Sequence, residues 1–259
     1  MKILTVCVVA ALAASAIGSA HAADAGKAVV NRDYTDTVSP ANQQAYEAGI
    51  KAWNQCLREH GSKYSWTAWV HETGNVYSYS YVAGPYSWAD FDTMRDVGKA
   101  CDATWRAQAN PHLKGETSAF MVDQPEMSHM PVDWAKQAPP PLIDVMYFTL
   151  KPGHAAHAAF VDAAKKIAAA ADKAKWPYYF RFMQVQAGDE GAPDYVLAMP
   201  NKSWADYGTE ASPSMWKMVE GVYGKADTDA LRESVNNAID KTSEHVDSYD
   251  ADLSYIPGN

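Results

Sequence analysis

The chain has 259 residues, of which 47% are hydrophobic, 12% aromatic and 20% charged, and its formal net charge is −9. That balance excludes a disordered polymer, a collagen-like chain and a protein of many membrane spans. The acidic excess also argues against a general nucleic-acid binder, which needs a basic face to displace counterions.

The N-terminus reads as a secretory leader. Lys2 gives a positive start, Ile3 to Ile17 an apolar run, and Ala20-His21-Ala22 a small-x-small cleavage site. The run falls short of the roughly 20 apolar residues that a membrane span needs, and Cys7 lies too early in it to be a lipoprotein cysteine. Residues 1–22 are expected to be removed on export, leaving a periplasmic or secreted protein with no later transmembrane segment. Cys56 and Cys101 then remain. An even pair in an oxidising compartment reads as a disulfide, and neither cysteine belongs to a CxxC or CxH metal cluster.

Behind the leader, Ser39 and Pro40 open a helix with Tyr46, Ile50, Trp53 and Leu57 on its buried stripe. An aromatic stretch, Tyr64 to Val70, precedes an alternating strand over Val76–Val82, with Tyr77, Tyr79 and Tyr81 on one face. A helix over Arg95–Ala109 and a strand over Thr117–Val122 follow. Gln137-Ala138-Pro139-Pro140-Pro141 is a stiff, extended linker. Next come a β-branched and aromatic strand over Ile143–Leu150 and a helix over Gly153–Lys175, with Phe160, Ala164, Ile167 and Ala171 on one stripe. Strands over Tyr178–Gln186 and Tyr195–Met199 flank the turn Gly188-Asp189-Glu190-Gly191. A helical region over Pro213–His245, broken near Gly224, leads to a closing strand over Ser248–Ile256.

Ser87-Trp88-Ala89-Asp90 recurs as Ser203-Trp204-Ala205-Asp206, each followed by an aromatic residue, Phe91 or Tyr207. The flanking patterns agree, so the chain reads as two homologous halves. Its divisions are 1–22, the leader; 30–136, the first repeat; 137–141, the linker; and 142–257, the second repeat. Each half reads strand, helix, strand, strand, helix, strand. This βαββαβ order is the ferredoxin-like unit, with two helices on one face of a four-stranded antiparallel sheet. A Cys56–Cys101 bridge would staple the neighbouring helices of the first half.

Leu150-Lys151-Pro152-Gly153-His154, then Phe160, an aromatic strand, a hairpin and the second Ser-Trp-Ala-Asp resemble the dimeric α/β-barrel superfamily. The nearest members in pattern are antibiotic-biosynthesis-monooxygenase-like and NIPSNAP-like proteins. The resemblance covers the second half well and the first half weakly. It implies an α+β fold in which the open faces of two ferredoxin-like sheets pack together as a barrel, here within one chain. The superfamily hosts cofactor-free oxygenases, haem proteins, lactone isomerases and members without known chemistry, so the resemblance implies no single reaction.

Arg181 lies inside an apolar strand and His71 on the matching strand of the other half; Thr67, Trp69 and His71 share one face, as do Arg181 and Met183. If that face lines the space between the sheets, Arg181, His71 and Trp69 converge on a pocket for an anionic or aromatic small molecule. Tyr79, from the aromatic strand, joins this ligand set. If the helices cover that face instead, Arg181 pairs with a structural acid. His154 and His157 have the spacing of a shared metal on a helix, and Met121, Met127, His129 and Met130 carry the donors that suit copper. A solvent-facing first helical turn and an ordinary connection between the halves explain these better, and no metal site is assigned. No cofactor is assigned either, haem and copper being the alternatives. The expected function is binding of a small organic ligand between two sheets. One alternative is a cofactor-free oxygenase or isomerase with His71 as base and Arg181 holding an oxyanion, or a haem-binding variant of it. Another is a non-catalytic envelope protein acting through partners. The sequence fixes neither the ligand nor the oligomeric state.

Overall fold

The computed structural model describes residues 28–94, 96 and 98–258; the expected leader lies outside them. The first half runs β1 (Val30–Val38), α1 (Gln43–Glu59), β2 (Trp66–His71), β3 (Ser78–Tyr86), α2 (Trp88–Met94), α3 (Asp102–Gln108) and β4 (Leu113–Asp123). The second runs β5 (Leu142–Leu150), α4 (His154–Ala174), β6 (Arg181–Ala187), β7 (Tyr195–Asn201), α5 (Trp204–Tyr207), α6 (Met215–Tyr223), α7 (Lys225–Ala238) and β8 (Ile239–Tyr255).

The strand order is the same in both halves, β4-β1-β3-β2 and β8-β5-β7-β6. Antiparallel junctions β2–β8 and β4–β6 join the two sheets into one closed barrel. Closure leaves neither sheet with an unpaired edge. The sheets expected to face one another are opposite walls of this barrel, and the helices pack outside it. Alternation along each strand then assigns side chains to two environments. On β2, Trp66 and Ala68 join the helix-side core, while Thr67 and Trp69 line the barrel interior.

Both Ser-Trp-Ala-Asp copies stand where the third strand of a half turns into a helix. In the first, Ser87 N and Oγ both donate to the Asp90 carboxylate, at 2.7 and 2.9 Å. In the second, Asp206 N donates to Ser203 Oγ at 3.1 Å, a side-chain cap. The repeated tetrapeptide is thus a helix-start device used twice. The disulfide joins Cys56, near the end of α1, to Cys101, at the start of α3.

Three segments differ from the expectation. The helix read over Arg95–Ala109 is shorter: among the described residues of that span a turn at Lys99–Cys101 leads into α3, and a separate helix, α2, precedes the span from the Ser87 cap to Met94. The strand read from Tyr178 starts at Arg181, because Phe180 bridges to His129 in the connection between the halves. Most consequentially, the helix read through His245 stops at Ala238. β8 takes over at Ile239 because β5 needs a partner along its whole length, from Leu150 opposite Ile239 to Leu142 opposite Ser248. Sheet pairing overrides the local helical pattern there.

Candidate functional site

The first-half sheet has a cavity on each face. The outer one, of about 850 Å³, lies between the sheet and α1, α2 and α3. Its floor is Arg32, Tyr34 and Asp36 of β1 with Trp66, Tyr81 and Phe120; its roof includes Trp53 of α1, Phe91 of α2 and Trp105 of α3. Trp53 stacks on Trp66 with centroids 5.0 Å apart and tilts against Trp105 at 5.1 Å. The Arg32 guanidinium lies over the rings of Tyr34 (4.5 Å) and Phe120 (5.0 Å). No carboxylate pairs with Arg32 among the described residues.

Asp36 is buried at this floor. Tyr46 Oη donates to its Oδ2 at 2.5 Å and lies 2.9 Å from Tyr81 Oη. Burial pushes the Asp36 carboxyl up to about 7, the Tyr46 bond opposing and nearby Glu116 adding to the rise. Three buried polar atoms of residues on this lining have no partner among the described residues: Arg32 Nε, Asp36 Oδ1 and Trp53 Nε1. Buried polar atoms are almost always paired, so their grouping beside one aromatic cavity makes it the candidate site.

The inner cavity, of about 270 Å³, is the barrel interior, and the linker residues Gln137 to Pro140 border it. Trp69 and Arg181 line it, as the shared-face argument anticipated. Arg181 nevertheless pairs with an acid, which was expected only on a helix-covered face: its guanidinium bonds Asp123 at 2.5 Å and lies over Trp134 at 4.3 Å. His71 faces inward too, its Nε2 3.0 Å from Ser80 Oγ and its ring stacked on His245 at 4.2 Å. Desolvation lowers its pKa to about 4, so it is neutral at pH 7. Tyr79 parts company with the other three. It points to the helix side, where its hydroxyl donates to Glu47 at 2.7 Å and accepts from Gln43 at 3.2 Å.

The copper donors do not converge. Met127 is buried in the second-half core, and Met121 and Met130 line the barrel interior. His129 has both ring nitrogens engaged, Nδ1 with Asp172 and Nε2 with the Trp176 carbonyl. His154 is exposed, while His157 turns to Tyr195 Oη at 2.8 Å, so that pair shares no metal. His245 and Asp247, which stand beside His71, were not anticipated, because their segment reads as helix; alternation would have placed both on one face with His71 had it been read as a strand.

Neither a family model nor a curated protein sequence matches this chain. Solved structures do. A protein of Lactobacillus acidophilus NCFM, provisionally assigned as a monooxygenase, superposes with a TM-score of 0.55 at 8% identity, covering 90% of this chain and 98% of its own. The fold is that of the dimeric α/β barrels. An anthrone oxidase-like protein shares this dimeric α/β-barrel architecture, with a TM-score of 0.51 at 10% identity over 90% of this chain and 94% of its own. A provisionally assigned chlorite dismutase aligns at a TM-score of 0.51 and 11% identity, over 87% and 96% of the two chains. At such identities the likeness establishes the barrel fold alone, and function rests on the cavities.

The outer cavity does not suit haem. The described lining carries no histidine or cysteine, and Met94 is its soft donor. Burial raises the pKa values of the phenols Tyr34, Tyr64 and Tyr81, which opposes ligation as a tyrosinate.

Proposed function

We propose that this chain is an exported protein that binds a small, planar aromatic molecule bearing an oxygen acceptor, in the cavity between the first-half helices and the outer face of their sheet. The observation that carries this reading is the set of three unpartnered polar atoms, on Arg32, Asp36 and Trp53, around one aromatic cavity. The indoles of Trp53 and Trp66 suit a flat ring system. The unpaired Arg32 suits a carboxylate, phenolate or ketone oxygen. Export is supported by the leader pattern and by the Cys56–Cys101 bridge, since disulfides persist in oxidising compartments.

Asp36 favours a second reading, in which the bound molecule also reacts. A buried carboxyl titrating near 7, with one oxygen held by Tyr46 and the other without a partner, is suited to moving a proton at neutral pH. That chemistry belongs to a cofactor-free oxygenase or an isomerase.

Titration with 8-anilinonaphthalene-1-sulfonate tests the binding reading. The expected result is saturable one-to-one binding with quenching of tryptophan emission, weakened at least tenfold by Arg32→Ala and by Ala83→Leu, which narrows the cavity. Arg181→Ala, on the inner face, should leave it unchanged. Dye binding indifferent to Arg32→Ala and Ala83→Leu in variants with native near-ultraviolet circular dichroism would sink the proposal.

A further inference from the structure

On the inner face of the same sheet, three side chains form a cluster that the aromatic cavity does not use. His71 of β2 and Asp247 of β8 are cross-strand partners, and His245 precedes Asp247 by two residues, on the same face. One potential ligand atom from each lies within 4.8 Å of the others. The Asp247 side chain is 4% exposed, His71 8% and His245 13%. His245 Nε2 is 3.2 Å from Asp247 Oδ2, while Asp247 Oδ1 has no hydrogen-bond partner and lies 3.9 Å from His71 Nε2. From β1, Asp33 brings a second carboxylate, whose Oδ2 accepts from Thr35 at 3.2 Å and whose buried Oδ1 is unpartnered among the described residues. Both aspartates line the inner cavity.

The electrostatics of this group are unbalanced. Among the described residues neither Asp33 nor Asp247 pairs with a lysine or arginine, and Arg181, which shares the cavity, is held by Asp123. A buried carboxylate is stable only when a charge or a set of donors compensates it. We infer that the barrel interior is a binding site for one divalent transition-metal ion, with His71, His245 and Asp247 as ligands and Asp33 supplying the second carboxylate. Two imidazole nitrogens and a carboxylate oxygen, without a thiolate, suit zinc and its first-row neighbours rather than calcium or magnesium. The imidazoles are stacked at an interplanar angle of 20°. A cation in the plane of both needs one ring to turn about its Cβ–Cγ bond, and it takes the place that Ser80 Oγ holds beside His71 Nε2. This site is separate from the aromatic cavity and does not depend on ligand binding there.

The test is titration of the EDTA-stripped, full exported chain with Zn²⁺ by calorimetry, with Co²⁺ as a spectroscopic reporter. The expected results are one bound ion per chain, a Zn²⁺-dependent rise in thermal midpoint, and visible Co²⁺ d–d bands of a site with nitrogen ligands. His71→Ala and His245→Ala should each weaken binding at least a hundredfold and abolish the bands, Asp33→Asn should weaken it less, and the exposed control His154→Ala should change nothing. The wild-type midpoint keeps the test valid if a variant fails to fold. No one-to-one binding by the folded wild type, no shift of its midpoint, or binding retained in His71→Ala or His245→Ala would each overturn the inference.

Discussion

The two halves of the barrel set the same strand order beneath helices of opposite character. In the second half α4 buries Ala163, Ala164, Ala168, Ala170 and Ala171, all nearly without exposure. Small side chains let neighbouring elements sit close, and with Phe160, Phe148, Phe182 and Met218 they belong to one continuous apolar core. In the first half the corresponding α1 stripe carries Tyr46 and Trp53. These large rings stand between the helix layer and the sheet, and the gap beside them is the outer cavity. The half with the looser core is also the half with the disulfide. One repeat is joined across its helix layer by packing alone, the other by packing and a covalent link.

Four experiments would break or sharpen this contrast. The largest effect is expected from Cys56→Ser with Cys101→Ser. Opening a loop of 45 residues' separation should cost about 4 kcal/mol in the chain-entropy model, read as a shift in the urea midpoint. Next is Gly49→Ala, at the crossing of α1 with the end of α3. A Cβ there would stand 2.2 Å from the Gln108 carbonyl oxygen, so a loss of about 1–3 kcal/mol is expected, the cost of overpacking.

A matched pair of enlargements then compares the halves directly. Ala168→Leu, on the buried face of α4, should cost about 1–3 kcal/mol, because Ala168 is 2% exposed within the second-half core. Ala83→Leu, which projects into the outer cavity, should cost less than about 1 kcal/mol by the same measure. Equal losses would mean that the two helix layers are equally tight. The subtlest test is pH. The Asp36 carboxyl is raised from 3.8 to about 7, so between these values the folded chain binds the proton more tightly than the unfolded one. Its contribution to stability is present in full below about pH 4 and is lost as the pH rises through about 7. Asp36→Asn, which still accepts from Tyr46, should flatten that part of the stability–pH curve measured by urea unfolding. An unchanged slope would contradict a buried, proton-binding Asp36.

Much of this architecture could be read from local pattern. The repeated Ser-Trp-Ala-Asp and the βαββαβ order gave the duplicated ferredoxin-like plan, since caps and periodicities are local properties. The cysteine count gave the bridge. Alternation puts Trp69 and His71 on one face of β2, but Tyr79 belongs to β3, where it lies opposite Val70, so the register between the two strands turns it to the other side of the sheet.

What lay beyond the one-dimensional pattern was which neighbours each strand would acquire. The length of β8 is set by its pairing with β5, so residues with a helical rhythm became a strand and carried His245 and Asp247 to His71. The outer cavity is likewise a difference between two packing distances, which depends on side chains from separate elements meeting across space. Composition and spacing dictate local conformation; the void under one helix layer and the charge cluster inside the barrel exist only once the chain has closed on itself, because each is made by residues far apart along it.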